Sequence, residues 1–349
     1  MSLSVKVGNV TIGGGNKVAI QTMCDVKTSK INEVIKEIEE VYELGCDIIR
    51  VSVKDEDDAF ALKEISKKSC LPIVADIHFD YRLALKAIDA GVAKIRINPG
   101  NIGSENNVME VAKALNSSGV AVRVGSNSGS VEKEFLAKYG KNEISLAESA
   151  LKNVAVLEKF GVNNIVISAK ASNVPLMIKT YRYLNEKTDY PLHLGVTEAG
   201  SKENGVVKNS VGIGSLLVDG IGDTIRVSLT APIAEEVLAA KRILRSVGLE
   251  KDFVEVISCP TCGRTAYDMK GLLAAVEQAT AKLKVPLKVA VMGCVVNGPG
   301  EAKDCDLGIA GGDGKCVIFK KGEVYSTVPE SQAKDTFLKE IDKILNDRR

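Results

Sequence analysis

Residues 48–99 read IIRVSVKDEDDAFALKEISKKSCLPIVADIHFDYRLALKAIDAGVAKIRINP, and the alternation inside this stretch decides the fold. Three β-rich runs, Ile48 to Val53, Pro72 to Phe79 and Lys94 to Pro99, are separated by Ala59 to Ser69 and Tyr81 to Ala90, whose apolar residues recur at three- and four-residue spacing. Strand, amphipathic helix and strand in regular succession is the pattern of parallel βαβ units. Upstream, Ala19 to Met23 is a further strand, preceded by a Gly-rich hairpin from Val5 to Val18 that contains Gly13-Gly14-Gly15. Downstream, Ala121 to Gly125, Asn164 to Lys170, Pro191 to Thr197 and Asp223 to Leu229 continue the series, with helices predicted at Ile31 to Leu44, Ser145 to Phe160 and Pro232 to Val247. Eight units of this length predict an α/β fold of the TIM (β/α)8 barrel type and fit an open doubly wound sheet less well. The glycine motifs do not indicate a nucleotide fold. Gly212-Ile-Gly214 lacks a third glycine three residues on, and Gly311-Gly-Asp-Gly-Lys315 is followed by Cys316 where a phosphate loop needs Ser or Thr.

The barrel is expected to occupy residues 1–248, and a small α+β domain residues 249–349. The second domain reads as strand Val254 to Ser258, helix Met269 to Leu283, strand Leu287 to Met292, a hairpin through Val317 to Val328 and a closing helix from Glu330 to Asn346. Two of its strands run into chemistry. Cys259-Pro-Thr-Cys262 follows the first, and two spacer residues let both sulfurs face one centre from a tight turn. Cys294 ends the other, and the turn Asn297-Gly-Pro-Gly can swing Glu301 back beside it. Three thiolates with an oxygen ligand suit an iron–sulfur centre. A zinc ribbon wants two close cysteine pairs, and the only partner for Cys294 is Cys305, eleven positions on. A thioredoxin-type dithiol should open a helix after the first strand of its own βαβ domain, a placement not found here.

Strand residues two apart share a face, and one face of a barrel points at its axis. At the late strand positions Arg50 pairs with Ser52, Asp76 with His78, Arg96 with Asn98, Ser168 with Lys170, and Arg226 with Ser228, while Arg123 and Glu198 complete the set. Active sites of this fold lie at the C-terminal ends of the strands, so these side chains are expected to meet at one mouth. Four Arg and one Lys in a single cavity repel one another unless an anion fills it. Guanidinium forks match phosphate oxygens, and this many point to more than one phosphate on a compact substrate. Glu198, in the Gly-flanked loop Gly195-Val-Thr-Glu-Ala-Gly200, is a candidate general acid. Asp76 and His78 suit phosphate positioning or structural hydrogen bonding as well as catalysis. His193 lies early in its strand and is expected to be buried and hydrogen-bonded.

Composition excludes other classes. The formal net charge is +1, aromatic residues make up 4%, and Trp is absent, so neither a basic surface nor a stacking platform for nucleic acid is present. No run approaches a membrane span, and the first residues lack the apolar core of a signal peptide, so a cytoplasmic protein is expected. There, eight cysteines are thiols or metal ligands and not disulfides. Cys46, Cys70 and Cys316, at the edges of apolar runs, read as core residues; Cys24 and Cys305 are open.

The segments Asp76-Ile-His-Phe-Asp80, Arg96-Ile-Asn-Pro-Gly-Asn101, Gly195-Val-Thr-Glu-Ala-Gly200, Ser258-Cys-Pro-Thr-Cys-Gly-Arg264 and Gly293-Cys-Val-Val-Asn-Gly-Pro-Gly-Glu301 resemble those of the 4-hydroxy-3-methylbut-2-enyl diphosphate synthase family. The resemblance covers nearly the whole chain. It implies a [4Fe-4S] cluster on Cys259, Cys262, Cys294 and Glu301, and 2-C-methyl-D-erythritol 2,4-cyclodiphosphate as the cyclic diphosphate substrate. It implies reductive ring opening with loss of a hydroxyl as water, the two electrons arriving singly from flavodoxin or ferredoxin. Arg50, Arg96, Arg123, Lys170 and Arg226 would hold the diphosphate with Ser228 and Asn127, Asn297 would also bind the substrate, and Glu198 would donate a proton. A head-to-tail homodimer is also implied, the cluster domain of one chain capping the barrel of its partner. The chain departs from the family pattern at Thr22-Met-Cys24-Asp25, where Thr-Asn-Thr more often follows the Met, and it lacks the large insert of plant-type members.

Two other readings compete. A dihydropteroate-synthase-like barrel with a zinc domain would also hold a diphosphate but needs no redox centre. A metal-binding carrier would have no use for the polar strand ends.

Overall fold

In a computed structural model that describes residues 1–348 except 130, 266, 296, 297 and 313, with backbone only at 298 and 299, the chain divides into two units, Met1–Leu249 and Glu250–Arg349. The first begins with the antiparallel hairpin β1 (Val5–Val7) and β2 (Val10–Ile12). The alternation then runs β3 (Ala19–Met23), α1 (Ile31–Glu43), β4 (Ile48–Ser52), α2 (Glu56–Lys68), β5 (Ile73–Asp76), α3 (Tyr81–Asp89), β6 (Lys94–Ile97) and α4 (Glu105–Ser118). It continues with β7 (Ala121–Asn127), α5 (Lys133–Tyr139), α6 (Glu143–Glu158), β8 (Ile165–Lys170), α7 (Val174–Lys187), β9 (His193–Leu194), α8 (Lys202–Val218), β10 (Thr224–Ile225) and α9 (Ile233–Ser246).

The strands pair in parallel in the order β8-β7-β6-β5-β4-β3-β10-β9, and a bridge between Ile167 and Leu192 closes the ring. This is the TIM barrel that the alternation predicts. Helix starts are fixed by side-chain caps: Asp55 accepts from Asp58 N–H, Asp80 from Arg82 N–H, Asn173 from Leu176 N–H, and Asn142 with Ser145 forms a capping box. Each helix turns an apolar stripe inward, as Val34, Ile38 and Val41 of α1 illustrate. Inside the ring, Ala19, Ile48, Val74, Ala121 and Val166 form an apolar floor on which Val5, Val7 and Ile12 of the hairpin pack.

β9 and β10 are shorter than predicted, because side chains replace the ladder at their ends. Asn209 on α8 accepts from Val196 N–H at 3.2 Å, and Glu236 on α9 accepts from Leu229 N–H at 3.0 Å. Cys70, expected in the core, is exposed in the loop after α2, since the chain turns extended at Ser69 and ends the helix one residue before it. Cys24, Cys46 and Cys316 are buried, and Cys305 packs fully buried against Met292, Ala302 and Phe319.

The second unit comprises β11 (Val254–Ser258), α10 (Met269–Thr280), β12 (Leu287–Met292), the one-turn α11 (Gly298–Glu301), β13 (Leu307–Gly312), β14 (Lys315–Lys320), β15 (Glu323–Pro329) and α12 (Glu330–Asp347). Its sheet order is β11-β12-β13-β14-β15, with the first three strands parallel and the last three antiparallel to their neighbours. The sequence reading lacked β13, whose glycines look like a loop. Gly308 and Gly311 instead make room for rings: a Cβ on Gly308 would lie 2.2 Å from Phe319 Cζ, and one on Gly311 2.0 Å from Tyr267 Cδ1. Among the described residues no helix is long and apolar enough to cross a membrane.

Gly308→Ala should therefore lower the stability of the second unit by roughly 1–3 kcal/mol, the usual cost of overpacking against a buried ring. Denaturant unfolding followed by tyrosine fluorescence, with the barrel's own transition unmoved, checks this.

Candidate functional site

Strand parity brings the expected cations together. Arg50, Arg96, Arg123 and Lys170 are all buried, Arg50 midway along β4, Arg96 late in β6, Arg123 at the third residue of β7 and Lys170 at the end of β8, and Arg226 follows β10 with its side chain 17% exposed. Register explains the convergence, since Asp76 pairs with Arg96, Arg96 with Arg123, and Asn127 with Lys170. Two glycines open the space these long side chains need. A Cβ on Gly125 would stand 2.9 Å from Arg96 Nε, and one on Gly195 would stand 2.7 Å from Lys170 Nζ.

Asp76 is the hub. Arg96 Nη1–H donates to its Oδ1 at 3.2 Å, Arg50 Nε lies 3.8 Å from its Oδ2, and His78 Nε2 lies 3.5 Å from the same oxygen. Burial alone would raise its carboxyl, but Arg50, the His78 hydrogen bond, Arg96 and Arg123 outweigh burial and hold it well below the usual carboxylate range. Arg50 is pushed down to about 10, first by burial and then by Arg226 and Arg96, with Asp76 opposing. Arg123 and Lys170 are driven well below their ordinary values by burial and by neighbouring guanidiniums. Arg96 Nε, Arg123 Nε and Arg123 Nη1 are buried without a protein hydrogen-bond partner. Unused guanidinium donors in a crowded cationic mouth are what an oxyanion ligand satisfies.

A second carboxylate, Glu236 in the first turn of α9, escaped the sequence reading. It accepts from Thr22 Oγ1–H at 2.5 Å and holds Arg226 at 3.3 Å. Met23 is also at the mouth, its Sδ 3.1 Å from Arg50 Nε, so the unusual Thr22-Met23 segment takes part through both side chains. Cys24 does not: burial, with Glu37 beside it, pushes its thiol up.

The remaining expected residues are less uniform. Ser168 is buried and its hydroxyl points to Val124 O at 3.4 Å. Asn98 uses its side-chain oxygen to cap Gly100 N–H at 3.0 Å. Ser228 is half-buried after β10, and Asn127 ends β7. Glu198 is exposed and has φ 53, the left-handed region that non-glycine residues rarely adopt. Such backbone strain is concentrated at functional loops. His78 is exposed beside Phe79. His193 is fully buried as expected, yet neither ring nitrogen has a protein hydrogen bond, which corrects the expectation that it is satisfied.

In the second unit, Cys259, Cys262, Cys294 and Glu301 line one pocket of about 190 Å³ together with Pro260, Arg264, Thr265 and Gly293. Asn297 lies outside the described residues. Gly293 N–H donates to Cys259 Sγ at 3.0 Å, and a Cβ on Gly293 would crowd Thr265 Oγ1 at 2.7 Å and Cys259 Sγ at 3.4 Å. Backbone and side-chain hydrogen bonds from Arg264 lower the Cys262 thiol and favour its thiolate. Among the described residues no three His, Cys, Asp or Glu gather tightly enough for a single metal ion. Three thiols and one carboxylate around one pocket are a donor set that could hold a metal centre.

Comparison with known proteins covers both units. The family model for the GcpE TIM-barrel domain matches residues 2–241, and that for the GcpE protein C-terminal domain matches residues 255–343. The chain is 54% identical over 348 residues to a 4-hydroxy-3-methylbut-2-en-1-yl diphosphate synthase (flavodoxin) of Caldanaerobacter subterraneus, covering 99% of this chain and 98% of the relative. It is 52% identical over 341 residues to that of Clostridium perfringens, covering 97% and 98%. Among solved structures, the dihydropteroate synthase of Yersinia pestis superposes with a TM-score of 0.52 at 11% identity, covering 71% of this chain and 100% of that one. That likeness is one of fold alone.

Asp76→Asn should destabilise the barrel by about 3–5 kcal/mol in phosphate-free buffer, because it leaves buried cations uncompensated. The sign with pH follows from the depressed carboxyl. Its contribution is complete above the unfolded value of roughly 4 and drains away as pH falls below it. Wild-type stability should thus drop below about pH 4 more steeply than that of the variant, measured by denaturant midpoints across pH.

Proposed function

The chain belongs to the 4-hydroxy-3-methylbut-2-en-1-yl diphosphate synthase family, and from that premise we propose how its residues divide the reaction. It is an oxidoreductase that makes 4-hydroxy-3-methylbut-2-en-1-yl diphosphate with flavodoxin as electron donor. The substrate is 2-C-methyl-D-erythritol 2,4-cyclodiphosphate. The observation that carries this reading is the barrel mouth, where Arg50, Arg96, Arg123, Lys170 and Arg226 face the two carboxylates Asp76 and Glu236. A compact dianion with two phosphates offsets most of that imbalance.

Arg96 and Arg123 offer the unused donors and grip phosphate oxygens, while Asp76 keeps the Arg50 and Arg96 forks oriented. Glu236 does the same for Arg226. Lys170 adds a point charge, and Ser228 and Asn127 supply neutral hydrogen bonds at the rim. Holding both phosphates in place leaves the ring C–O bond as the part free to open. Glu198, presented by its strained loop, donates a proton to the hydroxyl that departs as water.

Cys259, Cys262, Cys294 and Glu301 would hold a [4Fe-4S] cluster, which when bound supplies single electrons and a Lewis-acidic iron. Glu301 would be the one hard oxygen donor of the set, beside three soft thiolates. The family resemblance further supports a head-to-tail homodimer, tested by sedimentation of the full chain. Ferredoxin is an alternative donor by the same chemistry.

Three measurements test these roles. Anaerobically purified protein should carry about four iron and four sulfide per chain and give a reducible cluster signal by EPR; stoichiometric zinc without sulfide would return the pterin-type barrel to contention. Glu301→Ala should lose or convert the cluster while circular dichroism stays native. Glu198→Gln should bind the cyclodiphosphate normally but fall by roughly 10²–10⁴ in kcat, and unchanged turnover would remove it from the mechanism.

A further inference from the structure

Beneath the mouth the barrel carries a layer that the reaction above does not use. Lys94 opens β6, two residues before Arg96, and shares its register with Val74 and Ala121 of the apolar floor, so its side chain enters the lumen. It is fully buried, and its Nζ makes no hydrogen bond to protein. Gln21, His193 and Thr224 share this state: each is buried, and their side-chain polar atoms have no protein partner. TIM-barrel interiors are ordinarily packed here with branched apolar side chains. Four polar residues in their place mark a layer with a task.

The charges that act on Lys94 are Arg123 from β7 and Arg50 from β4, both repulsive. His193 from β9 feels Arg123, Lys170, Lys94 and Arg50, again all cations. The lumen's carboxylates are engaged higher up, Asp76 by Arg50, Arg96 and His78, and Glu236 by Thr22, Arg226 and Leu229 N–H. Burial first, then the two guanidiniums, hold the Lys94 amine well below the ordinary lysine range. A buried Nζ with no acceptor and with two guanidiniums nearby disfavours the ammonium, and negative charge arriving overhead would favour it.

We propose that Lys94 is a positioning residue that couples anion binding to proton uptake: when two phosphates fill the mouth they offset Arg50 and Arg123, Lys94 takes a proton from solvent, and its ammonium supports the bound anion from below. Atoms balance simply, since one N–H bond forms and solvent or buffer gives up one proton. The inference rests on the cyclodiphosphate reading of the mouth. Lys170 is repelled in the same way, but it belongs to the mouth itself. The Lys94 contribution is the part that comes from the layer beneath, level with Val74 and Ala121.

Full-length wild type and K94M, titrated with the cyclodiphosphate by calorimetry in buffers of different ionisation enthalpy, count the protons. Each phosphate of this ligand carries one ester and one anhydride linkage, and therefore a single, strongly acidic proton, so uptake near neutrality belongs to the protein. K94M should take up about one proton fewer per site, bind roughly tenfold more weakly at neutral pH, and lose part of the pH dependence. Wild-type affinity should fall as pH rises, because binding consumes protons. Equal proton counts in the two proteins would overturn the inference. Binding without uptake by wild type would overturn it too, while leaving the cyclodiphosphate reading intact. No binding at all would remove both. K94Q, which keeps a polar group in the layer, is read in the same way and serves where K94M fails to fold.

Discussion

Excess positive charge inside a closed barrel is the constraint on which the first unit depends. Arg50, Lys94, Arg96, Arg123, Lys170 and Arg226 stand in or over the lumen, and the buried carboxylates that meet them are Asp76 and Glu236. In a medium less polar than water such repulsion is severe. It is tolerated because the strands fix where each side chain starts, because Gly125 and Gly195 leave room for the guanidinium and ammonium groups, and because the apolar floor and its hairpin seal the bottom. The same crowding that strains the free protein is what makes a compact polyanion fit.

The second unit solves a different problem. Parallel β11 and β12 end side by side, in register from Val254 with Leu287 to Ser258 with Val291, so the loops after them deliver Cys259-Pro-Thr-Cys262 and Cys294 to one pocket. A residue larger than glycine at 293 would press on Thr265 and the Cys259 sulfur. The Gly293 N–H fixes the Cys259 sulfur by a hydrogen bond, and the hydrogen bonds from Arg264 favour negative sulfur at Cys262.

Much of this was legible from strand parity. Arg50, Asp76, Arg96, Arg123, Lys170 and Arg226 meet because period two along β-strands and the barrel's register are both fixed by backbone geometry. The same parity put Lys94 on the face of Arg96, yet a lysine at a strand's first residue reads as an exposed end, since lysine is rarely buried. Glu236 was hidden for another reason. It belongs to a helix, and nothing local distinguishes it from Glu235, which is left outside to pair with Lys202. Asn98 carries a second task that its sequence position allows, because a polar residue before Pro99-Gly100 serves the turn as readily as a ligand. The strand β13 was missed because Gly308 and Gly311 are there for distant rings, Phe319 and Tyr267, that the local sequence does not mention.

Glu198, proposed above as the proton donor, is set apart by its backbone and not by burial. Its carboxyl is exposed, so no buried environment singles it out, but its φ of 53 is imposed on a residue with a Cβ. Gly200, two residues on, takes φ 95 at no such cost, and glycine at 198 would relieve the strain as well. Among the described non-glycine residues only Lys321 shares this backbone, and it occupies the tight turn between β14 and β15 beside Gly322. A turn explains Lys321. At 198 the loop keeps a carboxylate where glycine would be easier, which is the trade expected when the side chain, and not the chain path, is what the position supplies.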